Sequence, residues 1–123
     1  MFKPYRIVDN GTCLLFEKVP ADVMNYVEEL RRDWWRFYVV TSNRGMCYYK
    51  HKVITVPFRT IVSARQGYAA YYLAHEVAHA VAGAKAKHGP EFMAKFKTIC
   101  PPEFWHFELD YKPRNAASAG IGI

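Results

Sequence analysis

The segment that most restricts this chain is His75-Glu76-Val77-Ala78-His79, set in an Ala-rich stretch that reads as a helix from about Gly67 to Gly83. Leu73, Val77, Ala80 and Val81 are expected to trace its buried side. Gly83 is expected to end it in a left-handed conformation, where glycine has no Cβ penalty. Residues four apart on a helix lie on one face about one turn apart. The two imidazoles can therefore reach one zinc ion at about 2.0–2.1 Å each. Glu76 cannot easily join the same inner shell, but it can reach a water held by the metal. Zinc lowers the pKa of such a water towards about 7, and a carboxylate can take its proton as it attacks a carbonyl. HExxH on a helix is a general signature of zinc peptidases.

Catalytic zinc usually keeps three protein ligands and an open position, so a third donor is needed. The longer pattern HExxHxxGxxH fails here, because Ala82 and Lys85 stand where it requires Gly and His. A glutamate ligand would have to be Glu91, Glu103 or Glu108. His88 is the better candidate: a helix ended by Gly83, a short linker and a helix opened by Gly89-Pro90-Glu91 can bring it back to the metal. The bland alternative is a linker histidine in solvent.

The rest of the chain reads as one α+β domain over residues 1–114, followed by a loosely held tail at 115–123 that is small and glycine-containing. Residues 12–16 suggest a short strand or an extended lead-in. Val19-Pro20-Ala21-Asp22 opens a helix with Pro in its first turn, and Val23, Met24, Val27, Leu30 and Trp34 give it an apolar face. Residues 37–41, 46–50 and 53–56 read as three strands, with Ser42-Asn43-Arg44-Gly45 as a turn, and suggest an antiparallel meander. On that reading Tyr48 and Lys50 share one face and Tyr49 and His51 the other. Val53–Val56 is the candidate edge for adding a substrate strand. Phe92, Phe96 and Ile99 form the stripe of the last helix, and Pro101-Pro102 stops it.

Cys13, Cys47 and Cys100 are odd in number and far apart, with no CxxC pair, which excludes a cysteine zinc ribbon and argues against a disulfide framework. The first residues lack the apolar stretch of a signal peptide, and the most apolar run, Tyr68 to Ala84, is interrupted by two His and a Glu. A cytoplasmic setting without membrane contact is expected. The formal charge is +6, and eight basic residues lie between Arg31 and Arg65 against the single acid Asp33. That imbalance suits a polyanion, with Arg44, Lys50 and Lys52 as candidate DNA contacts and Tyr48 and Tyr49 as candidate stacking partners for single strands. A basic surface that merely keeps the chain soluble is the competing view.

The pairing of His75-Glu76-Val77-Ala78-His79 with His88-Gly89-Pro90-Glu91-Phe92 resembles the SprT-like metallopeptidases, including the Spartan proteases that act on DNA–protein crosslinks. The resemblance covers about Ala21 to Trp105, and its sharp part is confined to His75 through Phe92. It implies a zincin-like domain with Glu76 catalytic, and His75, His79 and His88 on Zn2+. The implied activity is endopeptidase cleavage by Glu-assisted attack of zinc-bound water, with DNA-associated proteins as a substrate class. The C-terminal cysteine ribbon and long recruitment tails of some relatives are not found in this sequence, which reads as a minimal catalytic domain. Two other functions remain open at this point: a nucleic-acid-binding protein with a structural metal, and an inactive peptidase fold that serves interaction. Tyr72, four residues before Glu76, is a candidate substrate or oxyanion contact or simply a core tyrosine. His51, His106 and Tyr111 stay outside the catalytic set.

Overall fold

A computed structural model describes residues 6–108. The order is α1 (Gly11–Glu17), α2 (Ala21–Arg32), β1 (Arg36–Val40), β2 (Met46–Tyr48), β3 (Val53–Pro57), α3 (Phe58–Ile61), α4 (Tyr68–Ala82) and α5 (Pro90–Ile99). Single 3-10 turns lie at Ala84–Ala86 and Pro102–Phe104. The fold is mixed α+β, as expected from the sequence. The expected tail at 115–123 and Tyr111 lie outside the described residues.

The antiparallel meander is corrected. The sheet order is β1-β3-β2, with β1 parallel and β2 antiparallel to β3. All five residues of β3 are buried, so its apolar run demands cover on both faces and neighbours on both edges. That places Val53–Val56 at the centre of the sheet, and β2 takes the outer position. β2 ends at Tyr48, because residues 49–52 form a turn in which Lys52 has φ +56°. Lys50 and His51 therefore share no strand face with Tyr48 and Tyr49.

The strand expected at 12–16 is the helix α1. Its apolar run is too short for periodicity to separate the two states. Local ties favour the helix: Gly11 lies so close to Val39 that a Cβ would meet its side chain at 2.6 Å, and Thr12 Oγ1 donates to Phe37 O at 2.9 Å. α2 buries Val23 and Val27 as its pattern predicts. Trp34 does not continue that face. The chain leaves α2 through bonds from Trp34 N to Arg31 O and from Trp35 N to Leu30 O, each 3.0 Å. This is a Schellman terminator, and its left-handed position holds Trp34 at φ +70°, 82% exposed.

α4 runs through the middle, packed against α2, α3, α5, β2 and β3. Every residue from Ala69 to Ala78 is buried, and the alanines let these neighbours approach closely. Leu73 and Val77 lie in the core and Ala80 packs half-buried against it, whereas Val81 is exposed. Gly83 closes α4 at φ +94°, ψ 160°, a region open to glycine alone, though not the left-handed helical one. Phe92, Phe96 and Ile99 of α5 fill the core as their spacing predicts. Among the described residues no helix is long and apolar enough to cross a membrane.

Candidate metal centre

His75 and His79 lie one turn apart on α4. The backbone then reverses through Gly83 and through Lys87 at φ +48°, and Gly89 N donates to Ala86 O at 2.9 Å before α5 begins. This path returns His88 to α4. The Nε2 atom of His79 lies 3.2 Å from Nε2 of both His75 and His88, and the latter two are 3.4 Å apart. The three histidines are close enough to hold one metal ion, and among the described residues no other His, Cys, Asp or Glu joins their cluster. Burial, and then the neighbouring His75 and His88, lower the His79 pKa to about 3, so this ring is neutral and its lone pair is available.

Phe92 walls the cluster on its apolar side. Its ring stacks on His79 at 4.4 Å between centroids and meets His75 at 5.0 Å and His88 at 5.1 Å edge-on. The Phe of the His88–Phe92 segment therefore has a physical role beyond filling the core: it restricts all three imidazoles at once.

Glu108, weighed from the sequence only as a metal ligand, does something else. Its Oε1 accepts from His75 Nδ1 at 2.9 Å and from the Tyr71 hydroxyl at 2.8 Å. Burial would raise this carboxyl, but the two hydrogen bonds and the His75 ring outweigh burial and hold it below the ordinary carboxylate range. No spacing rule reveals the pairing, because it joins residues 33 apart in sequence. Glu91 and Glu103 are exposed.

Glu76 is fully buried, and among the described residues both of its carboxylate oxygens are without a hydrogen-bond partner. Burial first, and then the Glu108 charge, raise its pKa well above the usual carboxylate range. A buried carboxyl without a hydrogen bond is costly, so its presence calls for a partner beyond those the described residues supply. Cys47 and Tyr49, bonded to each other, feel the Glu76 charge from the β2 side, and burial raises both of their pKa values.

Tyr72 is buried and its hydroxyl accepts from Gly45 N at 2.8 Å. It ties α4 to the start of β2, which favours the core role over the catalytic one. His106 bonds Glu103 O at 3.1 Å on the surface, and His51 is exposed.

Several basic residues of the 31–65 span are engaged within the fold. Lys52 Nζ contacts Asp33 at Oδ2 (3.1 Å) and at its backbone O (3.0 Å). Arg59 holds Asn43 O and the Tyr68 hydroxyl, while Arg65 lies over the rings of Tyr68 and Phe107. Arg44 precedes β2 and Lys50 follows it, so the strand separates them. The basic residues beside Lys52 are those around Trp34, since Arg36 N donates to Lys52 O at 2.9 Å. Trp34, Arg31, Arg36 and Tyr38 line a common surface cleft.

Searches against protein-family models, curated proteins and solved structures return no match to this chain.

Proposed function

We propose that this protein is a zinc peptidase of SprT-like type. The observation that carries the reading is the trio of Nε2 atoms at 3.2–3.4 Å beside the orphaned Glu76 carboxyl. Nitrogens about 2.0–2.1 Å from zinc at tetrahedral angles lie about 3.3–3.4 Å from one another. The spacing of His75, His79 and His88 fits three corners of that tetrahedron. His75 cannot satisfy its neighbours as a donor, because its Nδ1 holds the proton shared with Glu108. Three ring nitrogens crowded together are stabilised best by a cation between them.

When bound, zinc supplies Lewis acidity and makes water a nucleophile near neutral pH. The chain's own residues do the rest. Glu76 accepts a proton from the attacking water and returns it to the departing amine nitrogen as the peptide bond breaks. Its dry surroundings raise its basicity, which suits both transfers. β2, the outer strand beside α4, is the strand to which an extended substrate adds through its backbone. A structural metal would use four protein ligands and would leave Glu76 without work, so the trio favours the catalytic reading.

Association with DNA is the second part of the proposal, and Trp34 favours it. A tryptophan in the left-handed position of a helix terminator costs about 1–2 kcal/mol against glycine and leaves a large apolar ring in water. Arg31, Arg32, Arg36 and Lys52 surround it in the chain and the turn. A stacking ring among cations suits the unpaired bases of a single strand, and moves the candidate surface from Arg44 and Lys50 towards Trp34.

The test of the metal centre is uptake of zinc by chelator-treated protein. One zinc per chain is expected, with affinity falling at least about tenfold in His88→Ala. Full affinity in that variant would remove His88 from the inner shell.

A further inference from the structure

We infer that Glu108 is a positioning residue for the metal centre, and that through it metal binding and the docking of segment 102–108 onto α4 stabilise each other. The inference rests on His75 being a metal ligand. The two ring nitrogens of His75 have different neighbours: Nδ1 faces Glu108 at 2.9 Å, and Nε2 faces His79 and His88. An ionised carboxylate only accepts, so the ring proton sits on Nδ1 and the lone pair on Nε2. A free neutral imidazole places its proton on either nitrogen, whereas a ligand must leave one bare. Glu108 selects the binding tautomer and the ring orientation before any metal arrives.

The effect runs in reverse as well. A cation on Nε2 withdraws electron density from the ring and polarises the Nδ1–H group, which strengthens its bond to the carboxylate. Thermodynamic linkage makes the two effects equal: whatever Glu108 adds to metal affinity, the metal adds to the docking of Glu108. Tyr71 reinforces the arrangement. It lies one turn before His75 on α4 and donates to the same Oε1 at 2.8 Å, and Glu108 is only 2% exposed.

Segment 102–108 has few other polar ties to the helix. Phe107 packs on Tyr68 and Tyr71, with centroids 5.3 and 5.4 Å away, but the bonds of Trp105 and His106 stay within the C-terminal stretch, to Cys100 O and Glu103 O. Among the described residues, the hydrogen bonds that join this segment to α4 are the two that Glu108 accepts. Metal occupancy therefore bears directly on how firmly the C-terminal segment is held.

The experiment measures zinc affinity by chelator competition for the wild type, Glu108→Ala, Glu108→Gln and Tyr71→Phe, with amide exchange of 102–108 followed with and without zinc. Glu108→Ala is expected to weaken zinc about 10–100-fold. Glu108→Gln should recover part of that loss, since its amide oxygen still accepts from Nδ1–H, and Tyr71→Phe should lose less than Glu108→Ala. Zinc should slow exchange across 102–108 in the wild type and much less so in Glu108→Gln. Should Glu108→Ala fail to fold, the Gln variant and wild-type exchange decide. Wild-type affinity in a folded Glu108→Ala or, if that variant does not fold, in Glu108→Gln, or exchange at 102–108 that ignores zinc in the wild type, overturns the inference while leaving the metal centre standing. A wild type that takes up no zinc removes both.

Discussion

Glu76 carries the largest local cost, because a buried carboxyl with no hydrogen-bond partner among the described residues is destabilising. Its pH dependence follows from the raised pKa. A carboxyl raised above its unfolded value of about 4.3 contributes fully below that pH, and loses its contribution as pH rises through the folded value. Zinc-free Glu76→Gln lacks this titration. The stability gap between it and the wild type should therefore widen in favour of the variant from pH 4.5 to 8, by up to about 1.4 kcal/mol per unit. Urea unfolding of both proteins across that range checks this, and a gap independent of pH contradicts it. The metal trio was legible in the sequence at this scale, because helical spacing alone brings His75 and His79 together and the HGPEF segment singled out His88. Glu108 was not: only the folded path of segment 102–108 brings it under His75.

Among the elements, the relation between α4 and β2 depends on Gly45. Its N–H donates to Tyr72, and a Cβ there would meet Thr55 O and Tyr72 Cε1 at 2.6 Å. The Thr55 oxygen belongs to the backbone of the central strand and has little room to yield. Gly45→Ala should cost about 1–3 kcal/mol and depress peptidase activity by displacing β2 from the metal helix, while zinc affinity stays near wild type. Thermal unfolding, zinc titration and cleavage rates of this variant check the three parts. Unchanged stability would show that the strand adjusts freely. The helices α2, α4 and α5 were legible because each carries an apolar pattern with a marked start or stop. α1 is not legible as a helix, because four apolar residues suit either state and its cover by Val39 comes from a distant element. The parallel pairing of β1 with β3 was hidden for a similar reason. Chain order suggests a meander, whereas the fully buried β3 requires a neighbour on each edge.

In the whole molecule, the basic residues of the 31–65 span lie on several elements. Lys52, Arg59 and Arg65 are engaged with an acid, carbonyls and rings of the fold, and Arg31 pairs with Glu28. Trp34, 82% exposed, lies on a cleft it shares with Arg31 and Arg36. Trp34→Gly separates function from folding. Glycine relieves the left-handed strain, so the variant should be as stable as the wild type or more stable by about 1 kcal/mol, yet bind single-stranded DNA less tightly by about 1–3 kcal/mol. Fluorescence titration of labelled oligonucleotide at low salt, paired with urea unfolding, checks both halves. Binding that is absent in the wild type or unchanged in the variant contradicts the DNA surface and leaves the peptidase reading untouched.

The central claim is that this small α+β domain cuts peptide bonds with Glu76 acting beside a zinc held by His75, His79 and His88. The most direct measurement is the rate of casein cleavage by zinc-loaded wild type and zinc-loaded Glu76→Gln, each verified to hold one zinc per chain. Cleavage by the wild type is expected, with a rate lower by about 10²–10⁴-fold in the variant. Equal rates in the two proteins, or no cleavage by a zinc-loaded wild type with or without DNA, would contradict it.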